Sequence, residues 1–201
     1  MTATTHGVTA ELIEAYRGIA PATLGHLSGV RVMTSAIKPG YRTCKLVGPA
    51  FTVRAVGLDI TATNQACEQI KAGQVMVVDR GGDAEHACIG EFRALAQQKK
   101  GVLGWVIDGA STDIVELEEM RFPVFARAWS ALIGHAVGSP GTINEPIACG
   151  GVVVNPGDLI VADDNGVVVL SPGEAERLLP QCLEKERREA ETRAAYQRER
   201  E

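Results

Sequence analysis

Apolar and polar positions alternate with one rhythm in the middle of the chain and another near its end. Residues 9–16 (TAELIEAY) read as a first helix, with Thr9 as a candidate N-cap. Residues 46–56 (LVGPAFTVRAV) are apolar and β-branched and predict a strand, interrupted at Gly48-Pro49. A helix follows over 61–71, closed by Ala72-Gly73, and then a short buried strand over 74–79 (QVMVVD). Ile89, Phe92, Leu95 and Ala96 share one face at helical spacing, which predicts a helix over 90–100 closed by Gly101. A strand over 102–108, a short helix over 113–120 and a strand over 122–126 complete a strand–helix alternation of the βαβ kind. After residue 140, short strands over 146–154, 158–162 and 167–170 are joined by Asn155-Pro-Gly-Asp158 and Asp163-Asp-Asn-Gly166; Asn-Gly in the second is a hairpin signal. Residues 173–201 read as a final helix.

The 201 residues suit one ordinary domain, and no linker or repeat divides them. Aromatic residues make up 4% and glycines number 22, so the core is expected to rest on Val, Ile, Leu and Ala with many tight turns. The net charge of −5 argues against non-specific nucleic-acid binding. No apolar run approaches the about 20 residues of a membrane helix. The five scattered cysteines form no CxxC pair, which argues against a disulfide framework and a structural zinc site; with no basic-then-apolar leader at the start, a reducing cytoplasm is expected. From residue 184 the last helix carries six acidic and six basic side chains at i,i+3 and i,i+4 spacing: a self-paired solvated face, or a tail that packs on a neighbouring subunit and lends it a carboxylate.

Candidate chemistry lies at strand ends, where ligands collect in open α/β sheets. Asp79-Arg-Gly-Gly-Asp83, Gly90-Glu91 at a helix start, and Asp108-Gly-Ala-Ser-Thr-Asp113 are expected to converge on one crevice. Amides from Cys88 to Phe92 are placed to hold a carboxylate or an enolate oxygen, unless this is an ordinary loop-to-helix turn. Asp113 suits a hard divalent cation with Glu91 behind it, or else it caps the helix it heads. His86, just before Gly90, is a candidate acid or base or a solvated surface group. No GxSxG, GxxxxGK[ST] or GxGxxG pattern supports a serine hydrolase, a nucleoside triphosphatase or a dinucleotide-binding oxidoreductase.

Taken together, these segments resemble the family of the 4-hydroxy-4-methyl-2-oxoglutarate and 4-carboxy-4-hydroxy-2-oxoadipate aldolases, which also holds the "regulator of ribonuclease E activity A" proteins. The resemblance runs from about Gly48 to Arg188. It rests on 48–53 (GPAFTV), Gly90-Glu91, 101–109 (GVLGWVIDG), 122–127 (FPVFAR) and above all 154–169 (VNPGDLIVADDNGVVV). It implies an α/β/β/α sandwich of the swivelling phosphohistidine-domain type. The expected assembly is a homotrimer or hexamer with sites between subunits, using Mg²⁺ or Mn²⁺ to cleave a 2-oxo acid. The family signature, an acidic residue followed after twenty residues by Arg-Asp, puts Glu91 at the acidic position and Asp113 at the metal ligand. Backbone from Ile89 through Gly90 to Phe92 falls on the stretch that holds the substrate carboxylate. Glu186 is the match for a C-terminal glutamate that enters a neighbour's outer metal shell.

The departure is Thr112, which stands where the signature has arginine. That arginine binds the carboxylate and the 2-oxo oxygen, a contact worth about 2–4 kcal/mol in a water-poor site. Arg80, Arg93 and Arg54 are the candidate replacements. The sequence therefore supports three readings: a metal-dependent lyase on a small 2-oxo or hydroxy carboxylic acid; an isomerase, tautomerase, hydratase or hydrolase using His86 or Glu91; or a non-catalytic regulatory protein on the same scaffold.

Overall fold

Unbroken apolar runs become strands buried on both faces, because each strand separates two layers. The computed structural model describes residues 7–55, 57–138 and 141–198. In chain order its elements are α1 (Ala10–Arg17), α2 (Pro21–Gly25), β1 (Arg31–Val32), β2 (Lys38–Pro39), β3 (Leu46–Arg54), α3 (Thr61–Gln69), β4 (Val75–Asp79), α4 (Glu91–Lys100), β5 (Gly104–Ser111), α5 (Ile114–Glu119) and β6 (Val124–Trp129). There follow β7 (Thr142–Ile143), β8 (Ile147–Cys149), β9 (Val152–Val154), β10 (Leu159–Asp163), β11 (Gly166–Leu170) and α6 (Pro172–Arg198).

The architecture is mixed α/β. Nine strands form one sheet in the order β1-β11-β10-β3-β4-β5-β6-β2, with β7 beside β3, and β8–β9 is a separate hairpin. β3 to β6 are parallel, and β10, β11 and β1 are antiparallel. β3 belongs to both halves. Its residues Leu46 to Pro49 pair with β10, and its residues Ala50 to Arg54 pair with β4. The predicted interruption at Gly48-Pro49 is therefore a change of partner within a continuous strand.

Period-two alternation then divides the buried apolar strand residues among three cores. Met76, Val78, Trp105 and Ile107 face α3, α4 and α5. Val75, Val77 and Val106 face Ile160, Ala162, Val167 and Val169 of the antiparallel half. Leu159, Val161, Val168 and Leu170 face α1 and α6.

Thr9 caps α1 as expected, accepting from the Leu12 N–H at 3.2 Å. The expected strand over 146–154 is a hairpin, folded at Gly150-Gly151, whose φ values are both positive (60° and 81°). The end of the last expected helix, 199–201, lies outside the described residues. Lys185–Glu189, Arg187–Glu184, Arg187–Glu191 and Arg188–Glu184 pair along the outer part of α6, so the self-paired face is present. No helix among the described residues is long and apolar enough to cross a membrane.

All five cysteines are buried and free. Burial pushes the Cys44 and Cys67 thiols up to about 11 and the Cys88 thiol to about 12, and raises Cys149 and Cys182 as well. Thiolate is the reactive form, so the native protein at pH 8 is expected to give almost no colour with Ellman's reagent and five equivalents once denatured. Rapid native labelling would contradict this packing.

Candidate functional site

Two strand ends and two helix starts are stitched together at the carboxyl edge of the parallel half. Beyond β4 the chain loops out and returns as Ala87, which bridges to Ala110 and Ile133; the Cys88 N–H then donates to the Ala110 carbonyl at 3.2 Å. Beyond β5, the Ser111 hydroxyl and the Thr112 N–H both donate to the Ile89 carbonyl, at 3.0 and 3.2 Å. The segment 88–90 is thus held in contact with 110–112, and Gly90 and Asp113 meet.

Asp113 adopts a left-handed conformation, φ 60° and ψ 43°, rare for a residue with a side chain. It occupies the N-cap position of α5, yet its side chain makes no capping bond there. The carboxylate instead reaches across to α4. Oδ2 accepts from the Glu91 N–H at 2.8 Å, and Oδ1 accepts from the Thr112 hydroxyl at 3.1 Å. Each oxygen keeps a further lone-pair direction. The capping alternative is therefore replaced by a carboxylate fixed from two sides.

This carboxylate lines a cleft of about 300 Å³. α3 contributes Asn64, with Ile60 just before it; the start of α4 contributes Gly90, Phe92 and Arg93; the far wall is Thr112 and Asp113. Cys88, Ile89 and Ile133 complete it. The N–H groups of Phe92 and Arg93 lie in the first turn of α4 and have no intrahelical partner, so the positive end of the helix opens here. Gly90 is extended (φ −158°), and the reason for glycine is space. A Cβ there would overlap Asp113 Oδ2 and stand 2.5 Å from the Thr112 methyl.

Ile89, Gly90, Phe92, Arg93, Thr112 and Asp113 therefore come together as the sequence suggests. Glu91 adjoins them, touching Asp113 through its main-chain N–H, with its side chain half-buried. Other expected positions stand apart from this lining. Arg80, expected at the substrate, is not among the lining residues, and its side chain is 0% exposed. Its Nη1 donates to the Asp59 carbonyl at 2.9 Å, its Nη2 stands 3.6 Å from Asp83, and its stem covers Gly109.

His86 is not among the lining residues; its Nδ1 lies 3.1 Å from Asp83 Oδ2. Burial raises the Asp83 pKa, but bonds from the Glu85 and His86 amides and the His86 ring outweigh it and hold that carboxyl below its ordinary value. Glu186 is engaged in its own chain, accepting from the Ala20 N–H at 3.0 Å and the Thr23 hydroxyl at 2.7 Å.

The three segments expected to converge do so only in part: Asp113 lines the cleft and Glu91 adjoins it, whereas Asp79, Asp83 and Asp108 are not among its lining residues. Asp79 and Asp108 pair in register on the face of Val77 and Val106, the opposite side of the sheet from α3 and α4. There Asp108 is bound by the Arg127 guanidinium and the Gly150 N–H, and Asp79 by the Gly81 N–H and, at 3.8 Å, Arg54. Strand alternation enforces the separation. Sequence reasoning missed Ile60, Asn64 and Ile133, which are brought in only by packing. Among the described residues, no group of three His, Cys, Asp or Glu is placed to hold a metal.

A family profile described as "RraA-like: Aldolase/RraA" matches residues 9–169. A protein of Halalkalibacterium halodurans named "Putative 4-hydroxy-4-methyl-2-oxoglutarate aldolase" is 38% identical over 160 residues, 80% of this chain and 76% of that protein. Among solved structures, RraAS2 of Streptomyces coelicolor, described as an unusual member of the RNase ES inhibitor RraA protein family, superposes with a TM-score of 0.82 at 28% identity. It covers 93% of this chain and 98% of its own. RraA from Thermus thermophilis, described as an RNA-processing inhibitor, gives 0.68 at 29% identity, over 76% of this chain and 92% of its own.

Proposed function

We propose, from the premise that this chain belongs to the RraA-like Aldolase/RraA family, that it is a carbon–carbon lyase of aldolase or decarboxylase type. It requires Mg²⁺ or Mn²⁺ and acts on a small 2-oxo or hydroxy carboxylic acid. The observation that carries this reading is the posture of Asp113: a carboxylate in a strained backbone, turned from its own helix toward a cleft and braced by an amide and a hydroxyl. Strain of about 1–3 kcal/mol at one residue is commonly found where function requires it.

The donor set fits a hard cation. Asp113 offers oxygen, and each of its oxygens has a lone pair to spare, the donor chemistry that a hard ion retaining several waters takes up. When bound there, such an ion supplies a Lewis acid for the 2-oxo group. The chain's own residues do the rest. The open amides of α4 hold the substrate carboxylate and stabilise the charge that collects on the 2-oxo oxygen as the C–C electron pair leaves its bond. Ile60, Ile89 and Ile133 give the cleft an apolar lining beside those contacts.

With His86 outside the lining, the cleft gives less support to isomerisation, tautomerisation, hydration or hydrolysis with an imidazole acid or base. Thr112 favours a second reading, a regulatory binding protein, because it lacks the charge that the cleaving members of the family use. The architecture is read as the swivelling phosphohistidine-domain type. The assembly is read as a homotrimer or hexamer in which α6 packs on a neighbour and Phe92, 83% exposed, is covered.

Purified protein incubated with oxaloacetate and Mg²⁺ or Mn²⁺ is expected to release pyruvate above the metal-only blank, and EDTA to abolish the excess. No excess at high protein concentration would remove the lyase reading and leave the regulatory one.

A further inference from the structure

We propose that Arg93 is the cation that binds the substrate carboxylate in this chain, approaching from the α3 side the charge that an arginine at position 112 would approach from the α5 side. The inference rests on the lyase reading for its substrate class. It stands on where the candidate arginines point.

Arg54 belongs to the opposite face of the sheet, in register with Asp79 and 3.8 Å from its carboxylate. Arg80 is enclosed, and its stem is locked against Gly109. Arg93 alone of the three lines the cleft. It is the third residue of α4, exposed, and makes no hydrogen bond or ion pair with the described residues, so its fork of donors is available to a ligand. Asn64 of α3 lines the same cleft with an amide that donates and accepts.

Position 112 cannot take the role as it stands. The Thr112 hydroxyl is spent on Asp113 Oδ1, and its methyl lies against Gly90. The chain thus separates two tasks. Thr112 steadies Asp113, and Arg93, beside the free amides of Phe92 and its own N–H, supplies the mobile positive charge. Arginine suits this because its planar donors match a carboxylate two at a time.

The test is oxalate binding by calorimetry in the presence of Mg²⁺, measured alongside oxaloacetate decarboxylation. Arg93→Met, at an exposed position, is expected to fold normally and to weaken oxalate roughly thirty- to hundredfold, with Arg93→Lys recovering part of the loss. Adding Thr112→Arg to Arg93→Met is expected to restore affinity by returning the charge from the other wall; no recovery overturns the equivalence of the two positions. Unchanged oxalate affinity in Arg93→Met overturns the assignment. Arg93-dependent oxalate binding without decarboxylation supports the assignment and rejects the lyase reading, whereas a wild-type protein that binds no oxalate rejects both.

Discussion

Alanine at position 90 is expected to abolish oxalate binding and decarboxylation together. The added methyl would occupy space already filled by Asp113 Oδ2 and the Thr112 methyl, and both belong to a segment pinned to Ile89 by two bonds. The backbone at Gly90 is extended, so conformational preference contributes nothing and the effect is purely one of contact. Relief requires Asp113 to swing out and give up the Glu91 N–H. Overpacking of this kind costs about 1–3 kcal/mol of stability, so the variant should still fold. A urea titration and an activity assay on the same preparation separate the two effects. A Gly90→Ala protein that retains activity would show that the 88–90 segment moves freely of 110–113, against the geometry described above.

Replacing Asp113 with asparagine is expected to cost about 10²–10³ in decarboxylation rate with little change in stability. Asparagine tolerates the left-handed region as well as aspartate does. Its carbonyl can accept from the Glu91 N–H, and its NH₂ can donate to Thr112 in place of the bond now accepted. Only the negative charge disappears. Asp113→Ala, by contrast, leaves the Glu91 N–H without its partner and puts alanine at φ 60°, so it should lose an additional 1 kcal/mol or so of stability. If asparagine proves fully active, the carboxylate is a structural brace and the cation reading of the cleft falls.

The pair of substitutions shows what was legible in the residues alone. β4 and β5 announce themselves because burial on two faces leaves no polar alternation. The hairpin of β10 and β11 announces itself through Asn165-Gly166. Strands of two residues, such as β1, β2 and β7, carry no periodicity to detect; they exist because a longer neighbour offers an edge. At the site, Asp113 and the helix start at Gly90 stood out as residue types at strand ends. That the carboxylate turns back to Glu91 depends on a positive φ that no local pattern encodes.

Depth was equally hidden. Arg54, Arg80 and Arg93 are equivalent on paper. Strand alternation sends the first to the far face, Gly109 gives the second room to lie buried, and only the third is left at the opening. Asn64 and Ile133 arrive by the approach of α3 and of the chain beyond β6, an event of tertiary packing.

The sharing of β3 has a bearing on how the chain reaches this state. Its first four residues wait for β10, which lies roughly a hundred residues downstream, and closing so long a loop is slow relative to local helix formation. During synthesis, the stretch from Leu46 to Pro49 therefore leaves the ribosome long before its mate, as an apolar edge with nothing to pair. Proline there, lacking an N–H, blunts that edge against foreign strands in the interval.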